Sequence, residues 1–545
     1  MSKVIKVIAI VAVAVAIIVF AAPLAAGIAG AFSAVGVTVA TAGIVSALVG
    51  IGVSLALTAV GTLFRKAPNL SQSMADRLQK TVNPTANRKI VFGRTAAGLD
   101  TRFEETYGSK KDRFAQVIAL ASHKVTLQQV WLEDTLTWSN GVLVAHQDGI
   151  LGFQAVSEGK PGNGFAYGSG SYWRNTATFT GCSYFAITYK LDNKAWPQSI
   201  PAKMTAIVEG CPVYDPRSDS TAGGSGSHRW DDQATWQYRN NAGVEIGRNP
   251  ALSMLTYLIG YKIAGKLAWG MGMPISRINL DNFKVYANVC EERVATQAGS
   301  TVQRYTADGI YSTADPHETV INGISAAMGS CKLTDVGGVY GFVGGYDDSL
   351  GPIQSFNADD LVGAVGTPTP YTWIPSGPAR ETYNIVRGRF ANPDELYQLA
   401  DWGVVETAAL PDGIPRTLQL DLGMVSRAET CQRIAKQFLM REAITPGFFS
   451  ATFGPRAFTV QVGSLIRLSL PSQGWNGKLF RVIEQHETHD LMFPMTLREE
   501  DPLIYAWDRE EKPLPAVIRP PGYDASMTIT PTGLRLSSVT YQGVS

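Results

Sequence analysis

His486-Glu487-Thr488-His489 is the string in this chain that comes nearest to a metal-binding signature. It falls one residue short of H-E-x-x-H, the spacing that sets two imidazoles on one helical face around zinc with the glutamate as base. The surrounding sequence alternates as a strand does. Residues three apart on a strand face opposite sides of the sheet, so these imidazoles are not expected to share a metal. Asp231-Asp232 and Asp347-Asp348 have the composition of paired catalytic acids, yet both lie in polar, turn-rich sequence where solvated carboxylates are ordinary. Gly162–Gly170 and Gly223–Gly226 lack the strand-to-helix setting and the Lys-Ser/Thr of a phosphate cradle. Cys431 falls on an apolar helical face and Cys331 follows a small-residue helix end, so core packing accounts for both. Trp230, Trp236 and Tyr238 suit a platform for stacking sugars or bases, and suit an aromatic core equally. These residues assemble no catalytic, cofactor-binding or metal-ligating constellation, and no enzymatic role is expected.

The elements that would carry such residues are mostly strands. The chain has 545 residues, enough for several domains with their own cores. Lys+Arg of 47 against Asp+Glu of 46 leaves a net charge of +1, without the basic surplus of an electrostatic nucleic-acid binder. The 5 cysteines are scattered and form no C-x-x-C pair, which signals neither a disulfide framework nor a zinc site. Glycine at 54 and abundant Tyr and Phe favour turns and aromatic-bearing strands. Strand-like runs occur at Lys89–Phe92, Arg113–Leu120, Val125–Leu132, Gly141–Val144, Ser183–Tyr189 and Thr205–Glu209, with Ser157–Asn175 as an exposed Gly/Ser-rich excursion. Asn249-Pro250 reads as a cap and first-turn proline for a helix carrying Leu252, Leu255, Leu258 and Ile259. Asp315 with Glu318, and Ser426 with Glu429, have the spacing of capping boxes before amphipathic helices. A short helix is expected at Met74–Lys80, and an alternating strand unit at Phe458–Trp507. From Lys512 to Pro521 a proline-rich linker leads into strand-length runs too few for a domain, so a longer parent protein is expected.

Between Lys6 and Arg65 there is no charged side chain. That length exceeds the roughly 20 apolar residues of one membrane-spanning helix and could supply two. Ala22, Ala29, Gly36, Gly43 and Gly50 recur at seven-residue steps, a small-residue line that favours close helix contact. The readings open at this point are a signal peptide, a constitutive anchor, apolar helices buried within an assembly, and helices stored there for later delivery to a membrane.

Several strings, in order, resemble the central tail-hub proteins of long-tailed phages, the tail-tip attachment protein J family typified by lambda. They are Arg88–Arg94, Arg113–Leu132 with Val130-Trp131-Leu132, and Glu209-Gly210-Cys211-Pro212-Val213-Tyr214-Asp215-Pro216-Arg217. Trp236 with Asn249-Pro250-Ala251-Leu252 and Tyr257-Leu258 follows, then Arg304-Tyr305-Thr306-Ala307-Asp308-Gly309, the helix after Asp315, and Gly338-Val339-Tyr340. Asn384-Ile385-Val386, Asn392-Pro393, Ser426–Arg441, Gly463 and Tyr505-Ala506-Trp507 complete the series. The apolar N-terminus stands outside the family's core pattern, and the receptor-binding C-terminal region of lambda-like members is not recognised in this sequence.

The resemblance implies a mainly β (α+β) multi-domain hub of β-barrel-like domains with helical insertions. It implies a structural virion protein without cofactor or metal that closes the tail tube as a homotrimer, whose paired barrel-type domains continue the sixfold tube. Implied partners are the distal tail protein, other tip proteins and the C-terminus of the tape measure, with DNA only in transit; host membrane contact through residues 7–64 is an expectation from their uncharged apolar length instead. The expected divisions are 1–66 (apolar helical segment), 67–201, 202–295, 296–370 and 371–511 (hub domains), and 512–545 (linker and the start of a further β domain). Competing readings are a membrane-anchored bacterial pore-forming or secretion-type protein, suggested by residues 7–64 alone, and a glycan-acting enzyme or cell-wall hydrolase.

Overall fold

The computed structural model describes residues 80–82, 86–145, 149–196, 199–329, 331–346, 353–362, 370–376, 382–408, 410 and 412–514. The charge-free segment, the Met74–Lys80 helix up to its last residue, Asp347-Asp348 and the chain beyond Leu514 lie outside the described residues. Lys80 opens a strand, β1 (Lys80–Val82), and does not end a helix.

The polypeptide then runs through β2 (Lys89–Phe92), β3 (Arg94–Ala97), β4 (Leu99–Tyr107), β5 (Arg113–Ala121), β6 (Thr126–Leu132), β7 (Thr135–Ser139), β8 (Val142–Leu143), β9 (Leu151–Val156), β10 (Ser183–Lys190) and β11 (Met204–Glu209). Ten of these strands make two sheets, in the orders β1-β4-β5-β10-β9 and β3-β11-β6-β7-β8. Between their facing sides lie Ile118, Phe185, Ile187 and Tyr189 from the first sheet and Val130, Leu132, Met204 and Val208 from the second. Strand alternation turns Val117, Tyr184 and Ala186 to the first sheet's outer side.

That outer side is covered, because the excursion expected to be exposed folds back on it. Phe165 and Trp173 are buried there. Glu105 on β4 accepts hydrogen bonds from Tyr167 Oη (2.7 Å), the Tyr172 amide (2.9 Å), the Trp173 amide (3.4 Å) and the Ser171 hydroxyl. Only glycine fits at position 168, where a Cβ would stand 2.6 Å from the Tyr107 ring.

A helical region follows: α1 (Pro250–Ile259), the hairpin β12 (Tyr261–Ile263) and β13 (Lys266–Trp269), α2 (Leu280–Glu291), and the hairpin β14 (Arg293–Ala295) and β15 (Thr301–Gln303). Next come β16 (Gly309–Ser312), α3 (His317–Ala326), β17 (Lys332–Val336) and β18 (Val339–Val343). Asn249 caps α1, accepting from the amides of Ala251 (3.0 Å) and Leu252 (3.3 Å), with Pro250 in the first turn. Every residue of α1 is buried, so it has no solvent face. β16 returns to pair antiparallel with β2 and ties this region to the first sandwich.

Neither expected capping box forms. Asp315 turns back to accept from the Ser312 amide at 2.7 Å, and α3 starts after Pro316 without a side-chain cap. Ser426 gives its hydroxyl to Asp308, and α4 (Ala428–Ile444) starts after Arg427, also uncapped. The Ser426 oxygen also accepts from Arg248 Nη2 at 3.1 Å, so the side chain is engaged at this ion pair and not at the helix end.

The remaining strands are β19 (Gln354–Asn357), β20 (Leu361–Val362), β21 (Tyr371–Ile374), β22 (Ile385–Arg387), β23 (Arg389–Asn392), β24 (Gln398–Asp401), β25 (Val405–Glu406), β26 (Thr417–Gln419), β27 (Phe448–Phe453), β28 (Leu465–Leu470), β29 (Trp475–Gln485) and β30 (Phe493–Glu499). One sheet has the order β19-β28-β29-β30-β27, with β20 and β21 both paired to β27. Its own core holds Phe356, Phe449, Phe453, Ile466, Leu468, Phe480 and Leu497. The molecule is thus mainly β with helical insertions, as expected, and its described elements up to Lys512 belong to one compact unit. Among the described residues no helix is long and apolar enough to cross a membrane.

Candidate functional site

The residues singled out for chemistry do not converge. His486–His489 lie beyond the end of β29, in a turn and not on a strand, so strand alternation is not what separates the two imidazoles. His486 Nε2 sits 3.0 Å from Glu484. Among the described residues no three His, Cys, Asp or Glu side chains are grouped to hold a metal. Asp231 and Asp232 are exposed, and Asp232 caps a short turn by accepting from the Ala234 amide. Cys331 and Cys431 are buried thiols, and burial pushes the Cys431 thiol well up. Trp236 is buried with its indole N–H on Arg229 O, while Trp230 is half-buried and lines a cleft of about 150 Å³ with Asp231, Gln233, Lys262 and Met273. Lys284 anchors the second glycine-rich loop through Ala222 O.

What does converge is a buried polar junction that reasoning about catalysis passed over. Asp308, fully buried, accepts from Arg248 Nε and Nη2 (both 2.8 Å), from Ser426 Oγ (2.5 Å) and from the Arg94 amide (2.8 Å). Burial alone would raise its carboxyl; the Arg248 guanidinium and these hydrogen bonds outweigh that and hold it below the usual range. Gly93 is required beside it, since its φ is +64° and a Cβ would stand 2.0 Å from Ala307 O. The neighbouring Asn249 donates to Glu291 at 3.0 Å, and Glu291 pairs with Arg217 (2.7 Å), itself held by Asp215 (2.8 Å). Arg94, Asp308 and Ser426, from three of the strings, therefore meet around Arg248, and the adjoining Asn249 reaches Arg217 and Asp215 of a fourth through Glu291. The sequence signal was the occurrence of those strings, whose polar members lacked an obvious surface role.

A second junction locks α4 to the β29–β30 sheet. Glu500 accepts from Arg481 Nε (2.9 Å) and Tyr505 Oη (2.7 Å), and Arg441 donates to Tyr505 Oη at 2.9 Å. Burial would raise Glu500, but Arg441 and Arg481 hold it low. Arg498 on β30 donates to Glu442 at 2.9 Å. These groups are buried or half-buried and engaged with one another, and they fix elements in place.

No protein-family model matches the chain, and no curated protein does. Among solved structures, a chain of the virion of the native gene transfer agent particle superposes with TM-score 0.54 at 12% identity, over 86% of this chain and 98% of that one. The tail protein from Neisseria meningitidis MC58 aligns at 8% identity over 78% of this chain and 99% of that one, with TM-score 0.27. The 43 kDa tail protein of prophage MuSo2 from Shewanella oneidensis aligns at 10% identity over 77% and 96%, also with TM-score 0.27. What the chain shares with the gene transfer agent virion chain is the fold.

Proposed function

We propose that this chain is a non-enzymatic structural protein of a phage-tail-type particle, namely the central hub of the tail tip in the manner of the J family. The observation that carries this reading is the fold likeness to a virion chain along 98% of that chain's length. Two β units with separate cores suit a trimer that continues a sixfold tube, and the buried junctions suit a part that bears load between neighbours. The hub would close the tube, contact the distal tail protein and the end of the tape measure, and open for DNA passage. Residues 7–64, which carry the small-residue line, would pack along the axis and reach the host envelope during ejection. Deleting them is expected to leave adsorption intact and reduce DNA delivery; undiminished delivery would remove them from the ejection route. The reading as a whole is tested by the mass of residues 87–512 expressed with the other tip proteins. Trimers are expected, and monomers alone would contradict it.

A further inference from the structure

We infer that the first β sandwich carries the two complementary halves of a contact between copies of this chain, a basic aromatic half over its first sheet and an acidic apolar half over its second. The inference rests on the trimer reading above and names the surfaces that would make it.

The basic half is the apex of the refolded excursion with the adjoining β4–β5 turn. Tyr172 is 82% exposed although Ser171 and Trp173 on either side are buried and its own amide is held by Glu105. A large ring is therefore presented from a fixed backbone, and ordering it costs little further entropy on binding. The string Tyr167-Gly168-Ser169-Gly170-Ser171-Tyr172-Trp173 has the mixture of rigid aromatic and small polar residues that protein-binding loops use. Lys110, Lys111 and Arg174 are exposed around it. Arg113 faces Tyr107 across the β4–β5 ladder and so shares the outer side. Among the described residues these four cations have no ion pair, and the one carboxylate in their turn is Asp112.

The acidic half lies on the opposite side of the same sandwich. Ala96, Ile207 and Trp131 on the second sheet's outer side are covered by Leu396 and Tyr397, the tip of the β23–β24 hairpin. Both tip residues are left-handed, with φ of +56° and +63°. Non-glycine residues resist that conformation, so packing on the sheet must hold the tip where it is. The segment from Arg389 to Asp421 has two basic residues against six acidic ones, and none of the basic ones lies between Arg389 and Arg416. Glu406 and Asp412 are partly answered by Lys512 and Arg416, and Arg389 by Asp421. Leu399, Val404 and Ile414 of this acidic segment are exposed, at 37%, 41% and 55%.

Complementary patches on opposite sides of one body cannot pair about a twofold axis. They pair head to tail, and such contacts close into a ring when the rotation allows. Opposed charge would steer that encounter, and Tyr172 among Leu399, Val404 and Ile414 would supply its apolar anchor.

The test uses the full chain in mild detergent, with mass read by light scattering as a function of concentration. One variant carries Lys110→Glu, Lys111→Glu and Arg174→Glu; a second carries Glu395→Lys and Asp401→Lys; a third combines all five; a fourth is Tyr172→Ala. The first two are expected to weaken trimer dissociation constants by about tenfold or more, and the combination to recover most of the loss. Tyr172→Ala is expected to weaken them about thirtyfold. Unfolding midpoints close to the parent's would confirm that folding is intact. If the reversed variants remain trimers of unchanged affinity, or the combination is weaker than either, these surfaces are not the contact while the trimer reading stands. A parent chain that is monomeric throughout, with tip partners added, overturns both.

Discussion

Asp308 and Ser426 touch the same guanidinium, yet their loss should have unequal consequences. Asp308→Asn leaves the buried Arg248 with only the Glu245 carboxylate, 3.2 Å away, as its counter-ion, and a destabilisation of about 3 kcal/mol is expected. Ser426→Ala removes one hydrogen bond from a carboxylate that retains three others, and about 1–2 kcal/mol is expected. Denaturant midpoints of the two variants should therefore separate clearly, and equal shifts would deny the junction its organising role. His123 supplies a pH-dependent term. Its Nε2 accepts from the Val91 amide at 2.9 Å and its Nδ1–H donates to Lys124 O at 2.8 Å, so both ring nitrogens are committed in the neutral form. Burial pushes its pKa down to about 4. The unfolded imidazole titrates near 6.5 and takes up protons before the folded one, so this contribution is complete above about pH 6.5 and falls away toward pH 4, by about 3 kcal/mol in all. The carboxylates of Asp308 and Glu500, held low, lose their share only as pH falls below the ordinary carboxylate range. Unfolding free energy of His123→Gln is expected to be flatter than the parent's between pH 6.5 and 4.5; parallel curves would show that the imidazole is not the group responsible.

At the level of elements, strands with apolar alternation or β-branched runs were legible: β2, β5, β6, β10 and β11 lie within a residue or two of their expected bounds. β4 was not, because Leu99–Tyr107 carries Asp100, Arg102, Glu104 and Glu105. Its polar groups are satisfied by tertiary partners that local pattern cannot show: Lys89 on Asp100, and the excursion on Glu105. α2 was also passed over, although Asn279 and Asp281 mark its start. The two capping boxes failed for a related reason, since Asp315 and Ser426 found other partners. Aromatics did not announce that Phe165 and Trp173 would turn the glycine-rich excursion inward. Glu105→Ala should release that segment while leaving the sandwich core folded. Amide exchange at Tyr172 and Trp173 is expected to rise and Trp173 emission to shift to longer wavelength. Unaltered exchange would mean that the apolar contacts alone hold the excursion.

For the whole molecule, the mainly β class was readable from glycine, aromatic content and alternation, whereas the polar network joining distant strings was not, because it is assembled only by tertiary folding. The proposed hub role makes a claim about number and place that no single chain displays. An electron-microscopic image of assembled particles, with a compact label fused after Ser545, measures both at once. Three labels at the distal end of the tail tube are expected. Labels spaced along the tube, gathered at the head, or present in a number other than three would contradict the hub.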